Sequence, residues 1–154
     1  MDVVLITPQI PQNTGSIART CAATQTPLHL VGKLGFDLSE KAVRRAGLDY
    51  WPHVPLTRHA AWEDYAAARR PRKVWLLSKF GERVYHSADF HPDDAIVFGS
   101  ETKGLGAEFM GRFPSEQILR IPIVCEHVRS LNLSNAVSIV LYEGRRQLGL
   151  DVTP

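Results

Sequence analysis

Val3 to Ile6 and Leu28 to Val31 are two short apolar runs separated by one helical repeat. Runs this short, bounded by turn residues, read as buried strands rather than helices. Between them lie a breaker-rich loop, Thr7-Pro-Gln-Ile-Pro-Gln-Asn-Thr-Gly15, and a segment with Ile17, Ala18, Cys21 and Ala22 on one face. The spacing predicts a helix starting near Asn13 or Thr14, with Arg19 close to its start and off the apolar face. Strand, helix, strand within 31 residues is a crossover unit, and such a unit joins parallel neighbours in one sheet. The fold class that follows is α/β, a mostly parallel sheet with helices on both faces.

The rest of the chain extends the pattern. Val74 to Leu77 and Ala95 to Phe98 read as further buried strands, and Ile118 to Ile121 as the last, ended by Pro122. Helices are expected over Lys41 to Ala46, stopped by Gly47, and over His59 to Arg70. Glu82 to Asp94 reads as a loop with a short strand at most. The final helix carries Leu133, Val137, Val140 and Leu141 at i, i+4, i+7 and i+8, with Asn132 and Ser134 as candidate caps.

A length of 154 residues suits one domain, taken as 1–150 with a short tail at 151–154. No apolar run approaches the about 18 residues of a membrane span, and the N-terminus has no basic region of a signal peptide. Cys21 and Cys125 are isolated, without metal-ligand spacing. A cytoplasmic protein with reduced thiols is the expectation, without membrane or metal. The net charge of +2 is a weak pointer to nucleic acid, but its distribution says more. Basic residues gather at Arg44-Arg45, at Arg69 to Lys73 and at Arg145-Arg146. The tract Arg44 to Trp51, R-R-A-G-L-D-Y-W, sets two arginines beside two aromatics, a mix suited to phosphate contact and base stacking. Its plainer reading is a helix end with the aromatics packed on the core.

Three loop stretches stand out. The first is Ile10-Pro11, Asn13, Gly15 and Arg19. The second is Phe98-Gly-Ser-Glu101-Thr-Lys-Gly-Leu-Gly106, where glycines after a buried strand let a ligand approach the backbone. It has neither P-loop spacing nor a dinucleotide-binding G-x-G-x-x-G. The third runs from Ile121-Pro122 through a polar loop, Cys125-Glu-His-Val-Arg-Ser130, into Leu131-Asn-Leu-Ser-Asn-Ala-Val-Ser138. Taken singly, each is also a loop, a cap or a helix terminus with its free N–H groups to satisfy.

In this order, the three stretches resemble the motifs of the SPOUT class of RNA methyltransferases, the α/β-knot family. The resemblance covers most of the chain and is nearest to the short members that methylate a ribose 2′-OH at the wobble position of tRNA, which also carry a similar R-R-A-G-L-D-Y tract. It implies a C-terminal deep trefoil knot and S-adenosylmethionine as methyl donor, with no metal. It implies a homodimer acting on the anticodon stem-loop of tRNA. It places the donor against Leu77, Gly99, Ile121, Ser130 and Leu131, mainly through backbone groups. It makes Arg19, Asn13 and Ser130 the catalytic set, with Arg19 handling the ribose hydroxyl. Arg129, Tyr142, Arg44 and Arg45 are the candidate RNA contacts. The proton acceptor stays open: Arg19 is a hydrogen-bond donor rather than a base, and His127 is the alternative.

Other readings remain at this point. The chain could methylate another tRNA or a ribosomal RNA ribose, serve as a non-catalytic RNA-binding module on the same fold, or be a small-molecule α/β enzyme. Joint presence of Asn13, Arg19, Glu101, Ser130 and Asn132 argues against a pure binder, which needs no donor loops.

Overall fold

The computed structural model describes residues 1–37 and 50–150. Seven strands form one sheet: β1 (Asp2–Ile6), β2 (Leu28–Val31), β3 (Leu56–His59), β4 (Val74–Leu77), β5 (Arg83–Val84), β6 (Ala95–Phe98) and β7 (Ile118–Arg120). Their order is β3-β2-β1-β6-β4-β7-β5, and every pairing is parallel. The α-helices among the described residues are α1 (Pro11–Ala23), α2 (Trp62–Arg69), α3 (Ala107–Met110) and α4 (Leu133–Gln147). The expected α/β class, the crossover unit and the short strand in 82–94 are all present.

Three expectations need correction. β3 was not foreseen: Leu56–His59 lies at the edge of the sheet with half-buried ends, and its run is broken by exposed Thr57 and Arg58. His59 therefore ends a strand, and α2 begins only at Trp62, where Asp64 accepts the Ala61 N–H at 2.9 Å. α1 begins at Pro11, not Asn13, because proline at the first helical position has no N–H to leave unsatisfied. Arg19 consequently lies in its third turn. The expected helix over 41–46, Arg44-Arg45 and the tail 151–154 lie outside the described residues.

Alternation along the strands sends side chains to two cores. On one face, Val3, Leu5, Leu28, Leu30, Trp75, Ile96, Phe98 and Leu119 pack under Ile17, Ala18 and Cys21 of α1 and Val137, Val140 and Leu141 of α4. Those two helices lie together, and Arg145 of α4 donates to the Thr24 carbonyl at 3.0 Å. On the other face, Val4, Val31, Leu76, Ala95 and Val97 meet Trp62 and Tyr65 of α2. Phe109 and Phe113 stack edge-on against Trp62 there. Burial pushes the Cys21 thiol up to about 12, so it is an inert part of the core, whereas Cys125 is exposed.

Asp2, at the start of β1, is buried and heavily bonded. Arg69 donates to both its oxygens at 2.8 and 2.9 Å, and the Tyr65 hydroxyl donates at 3.1 Å. His29 Nε2 lies 3.4 Å away. Burial opposes the charge on Asp2, but His29 and Arg69 outweigh it and hold the carboxyl well below its usual range. A depressed folded-state pKa gives stability that is present above the unfolded pKa and lost as pH falls through the folded one. Asp2→Asn is expected to lower stability by about 2–4 kcal/mol at neutral pH, since buried donors lose their acceptor. It should also flatten the acid limb of Tm against pH. An unchanged acid limb in thermal melts would show that another carboxylate governs it.

Candidate active site at the carboxyl edge of the sheet

β6, β4 and β7 are consecutive in the sheet, so the loops after them emerge side by side. Leu77 is in register with both Phe98 and Leu119, which sets Leu77, Gly99 and Ile121 along one edge. Crevices beyond the carboxyl ends of parallel strands are where such sheets bind ligands. Leu77 and Ile121 are half-buried and pack on the core. The 99–106 loop folds back on itself: Ser100 and Gly104 exchange two backbone hydrogen bonds at 3.2 and 2.9 Å. A Cβ at Gly99 would fall on the Gly104 carbonyl group, so the close approach that requires glycine here comes from the chain's own loop. The turn Ser78–Gly81 is also drawn tightly onto β7, where a Cβ at Gly81 would lie 2.6 Å from the Leu119 carbonyl carbon.

A polar hub joins the three motif stretches. Glu101 accepts the Gln9 N–H at 2.8 Å, the Ile10 N–H at 3.1 Å and the Asn13 side-chain amide at 3.1 Å. Asn13 in turn accepts from the Asn132 side-chain amide at 2.9 Å. Asn132 caps α4, its carbonyl oxygen taking the Ser134 N–H at 2.9 Å and the Asn135 N–H at 3.4 Å. Thr102 closes the ring by donating to the Gln9 side chain at 2.9 Å. Asn13 and Asn132 each use both the amide N–H and the amide oxygen, so their orientation is determined by their neighbours. Burial disfavours charge on Glu101, yet the Gln9 N–H, its own backbone, Asn13 and the Ile10 N–H outweigh burial and lower its pKa. The hub therefore carries a persistent negative charge. Local reading treats Asn13 as a helix cap; its side chain instead reaches across to another loop.

Arg19 is exposed, and its guanidinium stands over the Tyr50 ring, 4.7 Å from the centroid. The Tyr50 hydroxyl donates to the Gly15 carbonyl of α1 at 2.8 Å. Tyr50 and Trp51 both pack against the core, which is the plainer of the two readings of that tract. Ser130 and Arg129 lie exposed in the extended segment between β7 and α4, and Leu131 is at its surface. The same segment holds Val124 almost fully exposed, and a turn at Cys125–Val128 presents His127 to solvent. Tyr142 is half-exposed on the outer side of α4, one turn from exposed Ile139. Val140, on the apolar face of the same helix, is fully buried against the sheet.

Motif order brings Asn13, Glu101 and Asn132 into direct contact. Leu77, Gly99 and Ile121 share the edge next to them. No hydrogen bond or ion pair joins Arg129 or Tyr142 to the hub among the described residues. The roles of two participants were not read from sequence. Glu101 is named by its motif but has no local signal of its role as an anchor. Tyr50 gives a sign only in retrospect, as the aromatic that follows a basic tract. Among the described residues, no three His, Cys, Asp or Glu side chains converge as a metal-ligand set. No helix among them is long and apolar enough to cross a membrane.

Comparisons with known proteins bear on the fold and the family. The sequence model of the SpoU rRNA Methylase family matches residues 1–142. A tRNA (cytidine(34)-2′-O)-methyltransferase of Saccharophagus degradans is 43% identical over 148 residues, 96% of each chain. A solved structure described as giving insight into the 2-OH methylation of C/U34 on tRNA is 45% identical. It superimposes with a TM-score of 0.86 over 96% of this chain and 95% of the other. The methyltransferase AviRb from Streptomyces viridochromogenes, in complex with the cofactor AdoMet, is 25% identical with a TM-score of 0.80. That match covers 96% of this chain and 57% of AviRb.

Proposed function

Because this chain belongs to the SpoU rRNA methylase family, we propose that it transfers a methyl group from S-adenosylmethionine to the ribose 2′-OH of nucleotide 34 of tRNA. The observation that carries this reading is the hub linking Asn13, Glu101 and Asn132 beside three adjacent strand ends. Near-full-length likeness to enzymes named for that reaction supports the position and the atom.

The strand ends fit the donor. They offer the apolar side chains of Leu77 and Ile121 and the backbone of Gly99 to an adenosyl group, with no acidic or basic side chain among the three. Ser130 and Leu131 complete the proposed contacts. The donor, once bound, supplies an electrophilic methyl on a sulfonium. The protein's part is to position the hydroxyl and stabilise its oxygen as the proton leaves. Arg19 donates hydrogen bonds to that oxygen, and its guanidinium, with a pKa above about 12, stays charged throughout. Asn13, immobilised by Glu101 and Asn132, orients the ribose. The O–C bond forms as the C–S bond breaks, and the 2′-OH proton passes to a substrate phosphate or solvent. Arg129 and Tyr142 contact the anticodon stem-loop or the partner subunit, since Tyr142 and Ile139 lie together on the outward side of α4. Arg44 and Arg45 are further phosphate contacts in this reading.

The reading also includes a homodimer and a cytoplasmic location, where tRNA is met. It includes a trefoil knot, in which the chain after β7 threads the loop before it. The tight seating of the Ser78–Gly81 turn on β7 supports that threading. The test is a transfer assay with labelled S-adenosylmethionine and tRNA that lacks the modification, read by nucleoside mass spectrometry. A 2′-O-methyl nucleoside at position 34 is the expected product. Label at another nucleotide would move the target, and donor binding without label would reject tRNA as substrate.

A further inference from the structure

Among the described residues, four arginines spend their N–H donors on carboxylates, Arg112 on Glu63 among them. Arg69 grips Asp2, Arg72 grips Asp94 and Arg146 grips Glu143, each through two hydrogen bonds. Arg19 does not. Among the described residues nothing accepts a hydrogen bond from its guanidinium, and the group rests on the Tyr50 ring at 4.7 Å. Tyr50 is itself anchored twice: its ring packs on the core, and its hydroxyl donates to Gly15 O at 2.8 Å. Gly15 and Arg19 are four residues apart on α1 and so share one side of that helix. The tyrosine thus spans one helical turn, bonded at one end and covered by the cation at the other.

The consequence is chemical. A carboxylate partner would hold Arg19 in place but would occupy two donors and cancel its charge. A ring face attracts the cation through its quadrupole while leaving the N–H groups free. Resting on the assignment of Arg19 made above, we propose that Tyr50 is a positioning residue for methyl transfer, whose ring holds the Arg19 guanidinium in place while keeping its donors open to the ribose oxygen. Tyr50 itself touches no reacting atom. It acts on the rate of transfer, not on the affinity for tRNA or donor.

The test is a substitution series at position 50 in the full-length protein, with kcat, KM for tRNA and the donor dissociation constant measured for each. Tyr50→Phe keeps the ring and is expected to stay within about threefold of the parent in kcat, while Tyr50→Leu loses about tenfold. Because leucine also disturbs packing, the deciding comparison replaces Tyr50 with phenylalanine and then mono-, di- and trifluorophenylalanine. Fluorine weakens the quadrupole and changes shape little, so kcat should fall stepwise while Tm, KM and donor affinity hold. A flat kcat across the fluorinated series overturns the proposal, and so does a series that moves only KM for tRNA. Arg19→Ala is run in parallel. Full activity in that variant would overturn the assignment of Arg19 itself, a failure separate from a flat fluorine series in an enzyme that needs Arg19.

Discussion

Arg19→Lys is expected to lower kcat for ribose methylation by about 10²–10³-fold, the usual effect of removing one donor aimed at a developing oxyanion. Lysine keeps the positive charge, so a loss of this size isolates geometry as the cause. The guanidinium is a planar fork that can lie flat on the Tyr50 ring and direct N–H groups outward at once. An ammonium on a flexible stem has no plane to stack and no fixed direction for its donors. Arg19 is exposed and packs into neither core, so the substitution should leave Tm close to that of the parent. Donor affinity should also hold, because the proposed donor contacts lie at the strand ends and not on α1. Calorimetric titration with S-adenosylmethionine alongside single-turnover rates separates the cases. Wild-type turnover by the lysine variant would remove Arg19 from the chemistry.

The second large effect is expected at Glu101. Its carboxylate is the common acceptor for two backbone N–H groups and the Asn13 amide, drawn from the loop before α1 and from α1 itself. Glu101→Ala removes all three bonds. The freed backbone groups can reach water, so the cost should be about 2 kcal/mol, not the sum of three buried bonds. Activity should fall further than stability. Asn13 loses the partner that determines which way its amide points, and through it the Asn132 cap loses its tie to α1. A displacement of about 1 Å at a positioning group can cost about 10²-fold in rate. Glu101→Gln should recover part of the stability, since one amide oxygen still accepts, but its NH₂ would face donors and leave Asn13 misoriented. The pH dependence has a definite sign. The Glu101 carboxyl is held below its ordinary range, so its contribution is intact above that range and lost as pH falls through the depressed value. An alanine variant with parental kcat would mean that the hub serves folding alone.

Much of this fold can be read locally because its signals are local. Val3 to Ile6, Leu28 to Val31, Val74 to Leu77 and Ala95 to Phe98 are apolar runs bounded by breakers, and all four are central strands. Val137, Val140 and Leu141 are at helical spacing and all are buried. β3 escaped because it is an edge strand: only one neighbour and one face constrain its residues, so polar Thr57 and Arg58 are tolerated. The start of α1 was misplaced because Asn13 resembles a cap, and nothing nearby in sequence shows that its partner is Glu101, 88 residues away.

Residue types and their short-range spacing were therefore enough for the parallel α/β class, whereas the three loops, and Arg19, Asn13 and Ser130 as candidates, came from the resemblance of their motifs to the SPOUT class. Strand order was not contained in them. Only the assembled sheet sets β6, β4 and β7 side by side and makes Leu77, Gly99 and Ile121 neighbours. Only it closes the hydrogen bonds from Asn132 through Asn13 to Glu101, and only it slides Tyr50 beneath Arg19. The physical reason is the range of the forces involved. Periodicity and breakers act over a few residues, whereas hydrogen-bond and cation–π partners are chosen after the chain has closed loops of tens of residues, and no local pattern encodes that choice.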